Sequence, residues 1–351
     1  MTGAVHIRWF QECNASSTRE VGGKCASLGD LIGAGLSVPP GFAVTTTAHE
    51  LFLQSSDVRG REAELLASVD YESLPQVTAA SQELRSMVDR AELPPSTAGA
   101  VRAAYGELCG EEGADVPVAV RSSAGAEDLA GASFAGQLET YLWVEGADAV
   151  LEHVRRCWGG FFTPEALTYR HRQKVDSADE LMSVGVQRMV RARSAGVMFT
   201  LNPVNGDRSK VVIESTWGLG EPLVAGEVDP DRFVVDKVML EVLEKSVSEK
   251  LIEHRPDLAR RRVVVADVEE GRRSAASLSD AEAVELARLG KTIERHYGIP
   301  QDVEWAIDAD SGSLVVLQAR HETVWSRRER RPTVQKKGSA LEYVLADLLK
   351  R

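Results

Sequence analysis

The chain has no cysteine pair at close spacing: Cys13, Cys25, Cys109 and Cys157 are scattered, with no C-x-x-C among them. A disulfide framework is therefore not expected, and a reducing cytoplasm is the natural compartment. No window approaches the roughly 18 uninterrupted apolar residues of a spanning helix. The N-terminus MTGAVHIRWF also lacks an apolar signal core, so the expectation is a cytoplasmic chain with no membrane partner. Positive charge is scarce as well. A formal net charge of -12 argues against general affinity for nucleic acid or anionic membrane, so any conspicuous cation needs a local explanation. Familiar nucleotide motifs are missing too. Gly290-Lys291-Thr292 has Glu285 where a P-loop needs glycine, and Gly218-Leu219-Gly220 runs into Glu221, Pro222 and Leu223 instead of completing a dinucleotide fingerprint. Both read as structural. Neither an internal repeat nor a low-complexity tract is evident.

What is present is enough apolar sequence, 43% of 351 residues, to build two or three domains. Residues 20–50 read as a Gly-Gly-Lys turn, a helix over ASLGDLIGAGL and a strand in VPPGFAVTT. Residues 50–112 place apolar side chains at helical spacing, broken at Pro94-Pro95, and predict a small helical insertion. From 116 to 240, short apolar strands (VAVRS, ETYLWV, VGVQRMV, AGVMFTL, KVVIEST, RFVVDK) alternate with turns and one helix around ADAVLEHVRRCW. That is an α+β pattern with a largely antiparallel sheet. Residues 241–295 predict a return to helix, and IPQDVEWAID with SLVVLQAR a closing hairpin. The expected organisation is an N-terminal lobe over 1–115, a second portion over 116–325, and a tail over 326–351. In that tail the basic SRRERRPTVQKKG precedes an amphipathic LEYVLADLLK, which suits packing on its own domain or docking onto another chain.

Three constellations carry chemistry. In VPVAVRSSAGAEDLAGASFAGQLET an apolar strand ends on Arg121, Ser122 and Ser123, beside a loop of Gly and Ala that lets backbone N–H groups approach a bulky anion. An arginine fork there can hold two phosphate oxygens at once; a surface loop whose arginine caps something structural is the alternative. In the closing hairpin, a turn centred on Ser311 sets Glu304 opposite Gln318 and Asp302 opposite Arg320, all on one face. Directly opposed Cβ atoms lie about 5 Å apart, close enough for Glu304 and Gln318 to offer oxygens to one Mg²⁺ with Arg320 beside it for a terminal phosphate. A cross-strand salt bridge on a polar edge is the bland alternative, and a one-residue bulge in the turn would spoil the register. Third, Gly22-Gly23-Lys24 supplies an ammonium beside backbone donors, but the motif alone is weak and a solvated turn lysine is the better reading of those residues taken by themselves. Glu214 and Gln187 lie on or near apolar strands, where each needs a partner: a purine or ribose, or an internal hydrogen bond.

The blocks GGKCASLGDL, VPPGFAVT, VAVRSSAGAEDL, ASFAGQLETYL, GVQRMV, AGVMFTLNPVNGD, VVIESTWGLGEPLVAGEVDPDRFVVDK and PQDVEWAID with LQAR run in order through residues 20–325. Together they resemble the N-terminal nucleotide-binding part of the phosphoenolpyruvate synthase and pyruvate phosphate dikinase family. The resemblance implies an ATP-grasp fold, two lobes with mainly antiparallel sheets clamping a nucleotide. It implies that Lys24, Arg121 and Arg320 bind phosphates and act in catalysis, that Glu304 and Gln318 hold Mg²⁺, and that Gly136 and Thr140 line the phosphate loop. By the same carry-over Gln187 meets the adenine region, with the backbone at Met189 and Val190 as the hinge that reads its edge. Cys25, Gly125 and His321 depart from the family's usual residues at those positions without removing a candidate ligand. Full-length members also carry a swivelling domain whose histidine, in a Thr-Ser-His-Ala context, takes the phosphoryl group. None of the seven histidines here has that context.

The expectation is therefore an ATP- and Mg²⁺-dependent transferase that needs a separate subunit with a phosphorylatable histidine. That subunit would deliver the β-phosphoryl group to a small hydroxyl acceptor, with AMP and phosphate released. Two-subunit members that phosphorylate phenol or a cresol-type ring, in aromatic compound degradation, are the nearest precedent in layout. A split phosphoenolpyruvate synthase and a non-catalytic ATP-sensing module are the alternatives.

Overall fold

The computed structural model describes residues 5–110, 114–124, 140–173 and 181–326. The first sheet collects β1 (Ile7–Trp9), β2 (Gly41–Val44), β3 (Val118–Ala124), β4 (Thr140–Val144) and β5 (Met182–Arg188) in the order β1-β2-β5-β3-β4, every ladder antiparallel. Its connections carry α1 (Thr18–Gly33), α2 (Thr46–Ser55), α3 (Val58–Ala67), α4 (Leu74–Arg90), α5 (Pro95–Cys109), α6 (Ala147–Gly159) and α7 (Pro164–Gln173). The helical insertion is present, and Pro95 opens α5, where its missing N–H costs nothing.

Strand alternation decides which face is buried. Phe42, Val44, Val118, Val120, Val184 and Val186 form one core with Phe52, Leu84, Val101 and Trp158 of the helices. Residues in between, Gly41, Ala43, Ala119 and Gly185, are small, which leaves the opposite face open to α1 and to the cleft. The five strands come from both sides of the expected 115/116 boundary, so that position is not an edge of this sheet. β1 and β2 are joined to β3 through β5.

The second sheet uses β6 (Ala192–Phe199), β7 (Lys210–Trp217), β8 (Asp231–Asp236) and β9 (Val242–Ser246). A separate hairpin, β10 (Ile252–Asp257) with β11 (Arg262–Asp267), follows the short helix α8 (Glu221–Val224) and β9. Next come α9 (Glu270–Arg273), α10 (Asp280–Tyr297), β12 (Gln301–Asp308) and β13 (Leu314–His321). The six-stranded order is β13-β12-β6-β7-β8-β9, again antiparallel throughout. Met198, Ile213, Phe233, Val303 and Trp305 pack on one face against Leu286, Ala287 and Ile293 of α10. The Ser279 and Glu282 side chains close a capping box at the start of α10, and Gly298 at φ 73 ends it in the left-handed region.

One expectation fails here. Residues 242–267 are strands, not helix, and the long helix begins only at Asp280. Apart from the buried Glu253, the charged residues of VLEKS, IEHRPD and RVVVAD lie on the solvent side of edge or hairpin strands, so their charge density imitates a helical surface. The mainly antiparallel α+β architecture agrees with the expected fold class. Helix α1 joins the halves: Val21, Cys25 and Leu28 pack with Phe10 and Ala43 of the first half, and Leu31 enters the core of the second. Residues 327–351, with the proposed amphipathic helix, lie outside the described residues.

Candidate functional site

Sequence places the first cation by a backbone break. Gly22 interrupts α1 with φ 72 and ψ 167, so the regular helix starts at Gly23 and Lys24 stands in its first turn. The break docks on the end of β3. A Cβ on Gly22 would meet the Ser123 carbonyl oxygen at 2.1 Å, so only glycine fits this approach. Ser123 Oγ donates to the Val21 carbonyl at 2.9 Å and accepts from the Cys25 amide at 3.3 Å. Lys24 Nζ donates to the Ser122 carbonyl at 3.1 Å. The lysine is thereby held one residue along the strand from Arg121.

Arg121 pairs in register with Gly185 on one side and Thr140 on the other, while Gln187 pairs with Gly41 and Ala119. Arg121, Thr140 and Gln187 therefore share the open face of the first sheet. Gln187 is buried and its amide lies 3.5 Å from the Pro39 carbonyl, a long contact that satisfies it weakly. The Met189 amide donates to the Pro117 carbonyl at 2.8 Å, which removes that N–H from any set that reads a base edge. Val190 follows it at the hinge into β6, and its carbonyl accepts from the Ala192 amide at 3.0 Å. Gly136 lies outside the described residues.

The hairpin brings the second set together. Glu304 is opposite Gln318 and Asp302 opposite Arg320, as the spacing predicts. The route differs from the expected one. Ile307 pairs with Leu314 and Trp305 with Val316, so the turn is centred half a residue before Ser311, and a bulge at Leu317 restores the pairing further along. Gly312, at φ 70, supplies the left-handed turn residue. Arg320 Nε lies 3.3 Å from Asp302 Oδ2. Burial raises the Asp302 carboxyl above the usual aspartate range, against the opposing pull of Arg320.

Register extends this face across the sheet. Gln318, Glu304, Val197, Glu214 and Arg232 form one transverse row over five strands. Arg232 escaped the sequence reading, since its only signal is alternation with the buried Phe233 and Val235 in RFVVD.

The two sets face each other. Arg121 Nη1 lies 3.6 Å from Glu304 Oε2, with the side chains 19% and 36% exposed. Arg121 Nε is buried without a hydrogen-bond partner. A cation with a spare donor and a carboxylate beside an amide oxygen thus meet at a cleft between two sheets. A polyanion with its counter-cation is the ligand class such a pair can exchange for each other. Among the described residues no three His, Cys, Asp or Glu side chains gather as a metal cage, so a cation held by Glu304 and Gln318 would complete its shell with water or ligand oxygens.

Comparison with known proteins shows the family. The family model "Pyruvate phosphate dikinase, AMP/ATP-binding domain" matches residues 18–340. Phosphoenolpyruvate synthase of Aeropyrum pernix is 43% identical over 92% of this chain and 43% of its own length. The corresponding enzyme of Pyrococcus furiosus is 38% identical over 90% of this chain and 43% of its own. A probable phosphoenolpyruvate synthase of Methanocaldococcus jannaschii is 41% identical over 90% and 26%. The chain thus spans less than half the length of these relatives. Among solved structures, D-alanyl-alanine synthetase A of Vibrio cholerae covers 78% of this chain and 64% of its own at 10% identity and a TM-score of 0.27, too distant to bear on the site. With the family model spanning nearly all the described residues, the chain belongs to the pyruvate phosphate dikinase AMP/ATP-binding domain family.

Proposed function

We propose that the chain binds MgATP between the two sheets and cleaves it to AMP and phosphate as the ATP-binding part of a dikinase-type phosphotransferase. The carrying observation is the meeting of Arg121 and Glu304 at 3.6 Å, with Lys24 tied beside the first and Gln318 and Arg320 registered beside the second. Lys24, Arg121 and Arg320 would neutralise phosphate charge as the bond breaks, a task that needs positioning more than covalent chemistry. Glu304 and Gln318 would hold Mg²⁺, which supplies further charge neutralisation at the phosphate oxygens when bound. Gln187, with hinge backbone groups at Met189 and Val190 other than the Met189 amide, would meet the adenine, and Thr140 and Gly136 the phosphate loop. A non-catalytic sensor would not need a register that presents Glu304, Gln318 and Arg320 together.

The nucleophile comes from elsewhere. His321 hydrogen-bonds Gln301, whose side chain belongs to the opposite face of β12, and His49 is fully buried. A histidine on a separate swivelling-domain subunit is the proposed acceptor, delivering the β-phosphoryl group to a small hydroxyl compound of phenol or cresol type. Phosphoenolpyruvate formation is the second reading, favoured by relatives that carry that name at 38–43% identity.

The test is reconstitution with a swivelling-domain protein and ATP labelled at the β-phosphate, offering phenol, p-cresol and pyruvate in turn. Acid-labile label on the partner and AMP release are expected, with label then passing to one acceptor. Glu304→Ala should abolish the Mg-dependent turnover; undiminished AMP release would reject the metal assignment.

A further inference from the structure

We infer that Ser27 is a positioning residue: through it, α1 sets the distance between Lys24 and the Gln318/Arg320 strand. The inference rests on the MgATP reading above. Ser27 Oγ donates to the Ala319 carbonyl at 2.9 Å, and Ala319 is the residue between Gln318 and Arg320. Ser27 Oγ also lies 3.2 Å from the Tyr297 hydroxyl. Proton inventory orders this pair. The serine proton is spent on the carbonyl, so the tyrosine donates, its one proton shared between Ser27 Oγ at 3.2 Å and the Ser27 carbonyl at 3.4 Å, and either way Tyr297 holds Ser27 against Ala319. Burial raises the Tyr297 phenol above its ordinary range, which keeps that donor protonated.

Both ends of the link sit on rigid elements. Lys24 and Ser27 are three residues apart on one helix, about 4.5 Å of rise, and face neighbouring directions one turn apart. At Lys24 the helix is fastened to β3 through the Ser122 carbonyl and the Gly22–Ser123 approach. At Ser27 it is fastened to β13, and Tyr297 ends α10, which packs on the second sheet. Just beyond the helix, the Val316 amide donates to the Ser37 carbonyl at 2.8 Å, a second tie between the same segments. A short run of α1 is therefore the strut between the cation side and the carboxylate side of the cleft. Loss of the Ser27 hydroxyl removes the tie to β13 nearer Lys24, leaving only the Ser37–Val316 one, without touching any group that meets a nucleotide.

The signature is selective. A ligand that spans both sides depends on the spacing, whereas one lacking the outer phosphates does not. Ser27→Ala should weaken MgATP binding by calorimetry about tenfold, the usual scale of one lost hydrogen bond, and leave AMP binding within about twofold. Ser27→Thr, which keeps the hydroxyl, should restore MgATP binding, and Tyr297→Phe should fall between. Equal loss of MgATP and AMP affinity, unchanged affinity for both, or a threonine variant no better than alanine would overturn the positioning role. Wild-type protein that binds AMP but no MgATP, or neither, removes the underlying reading itself, an outcome visible before any variant is made.

Discussion

In the first sheet the cations reach the cleft by backbone docking, whereas in the second the carboxylate, amide and arginine reach it by strand register. The first device needs small residues: Gly22 approaches Ser123, and Gly185 leaves room beside the Cys25 thiol. The second needs a correct count of residues around a turn, achieved by a half-residue shift and a compensating bulge at Leu317. A docked turn is sensitive to any added atom, while a registered ribbon tolerates surface change but depends on what anchors its sheet. The two halves should therefore fail in different ways when altered.

The largest effect is expected at the anchor of the second sheet. Lys250 and Asp231 are both fully buried; Lys250 Nζ lies 2.5 Å from Asp231 Oδ1 and donates to the Ser248 carbonyl at 2.7 Å. Asp231 Oδ2 accepts from the Ser277 amide and hydroxyl, both at 2.7 Å. Asp231 begins β8 beside Arg232, so this network holds one end of the transverse row. Lys250→Met strands a buried carboxylate and should cost about 3–5 kcal/mol in urea unfolding. The double variant with Asp231→Asn should recover part of that loss. A single variant within about 0.5 kcal/mol of wild type would mean the pair anchors nothing.

Next in size is Gly22→Ala in the first half, which combines a positive φ with a 2.1 Å approach to the Ser123 carbonyl oxygen. Strain of this kind costs about 2–3 kcal/mol. Unlike the Lys250 change, it should also lower MgATP affinity, because the turn that carries Lys24 must lift off β3. Affinity that stays at the wild-type level in a folded Gly22→Ala protein would show that docking does not place the lysine.

The same contrast explains what could be read in advance. Glu304 opposite Gln318 follows from counting, since antiparallel pairing is arithmetic once a turn is located, and the error in the turn's centre was cancelled by a bulge no count reveals. Arg121 as a strand cation was legible from the apolar run before it, but the strand does not end there: Ser122, Ser123 and Ala124 continue the ladder with β5, because small polar residues pair as well as apolar ones. The docking of Gly22 on Ser123 was not, because the partners are about a hundred residues apart and nothing in Gly-Gly-Lys names the other side. Residues 242–267 misled because solvent-facing strands carry the same charges as a helix surface. The 115/116 division was drawn from local composition, which does not encode the long-range pairing of β1 and β2 with β5 across it.

The smallest effect separates the halves by pH. His49 lies fully buried on α2 in the first core, stacked on Trp158 at a 5.1 Å centroid distance, and its Nδ1 accepts from the Met182 amide at 3.0 Å. Burial, with repulsion from Arg59 and Arg170, holds the imidazole down at about 3. Above about pH 6.5 neither the folded nor the unfolded chain carries a proton there, and the native contacts have their full value. As pH falls below that point the unfolded chain takes up the proton and the folded one does not, so stability drops by about 1.4 kcal/mol per pH unit until the folded value is reached. From pH 6.5 to 5 the loss is about 2 kcal/mol. His49→Gln keeps an acceptor for the Met182 amide but cannot titrate, so its stability curve should be flatter than wild type over that range by most of this amount. Hydrogen exchange at pH 5 should rise in α2, β5 and α6 while α10 and β12 stay protected. Parallel stability curves for the two proteins would remove His49 as the source of acid sensitivity in the first half.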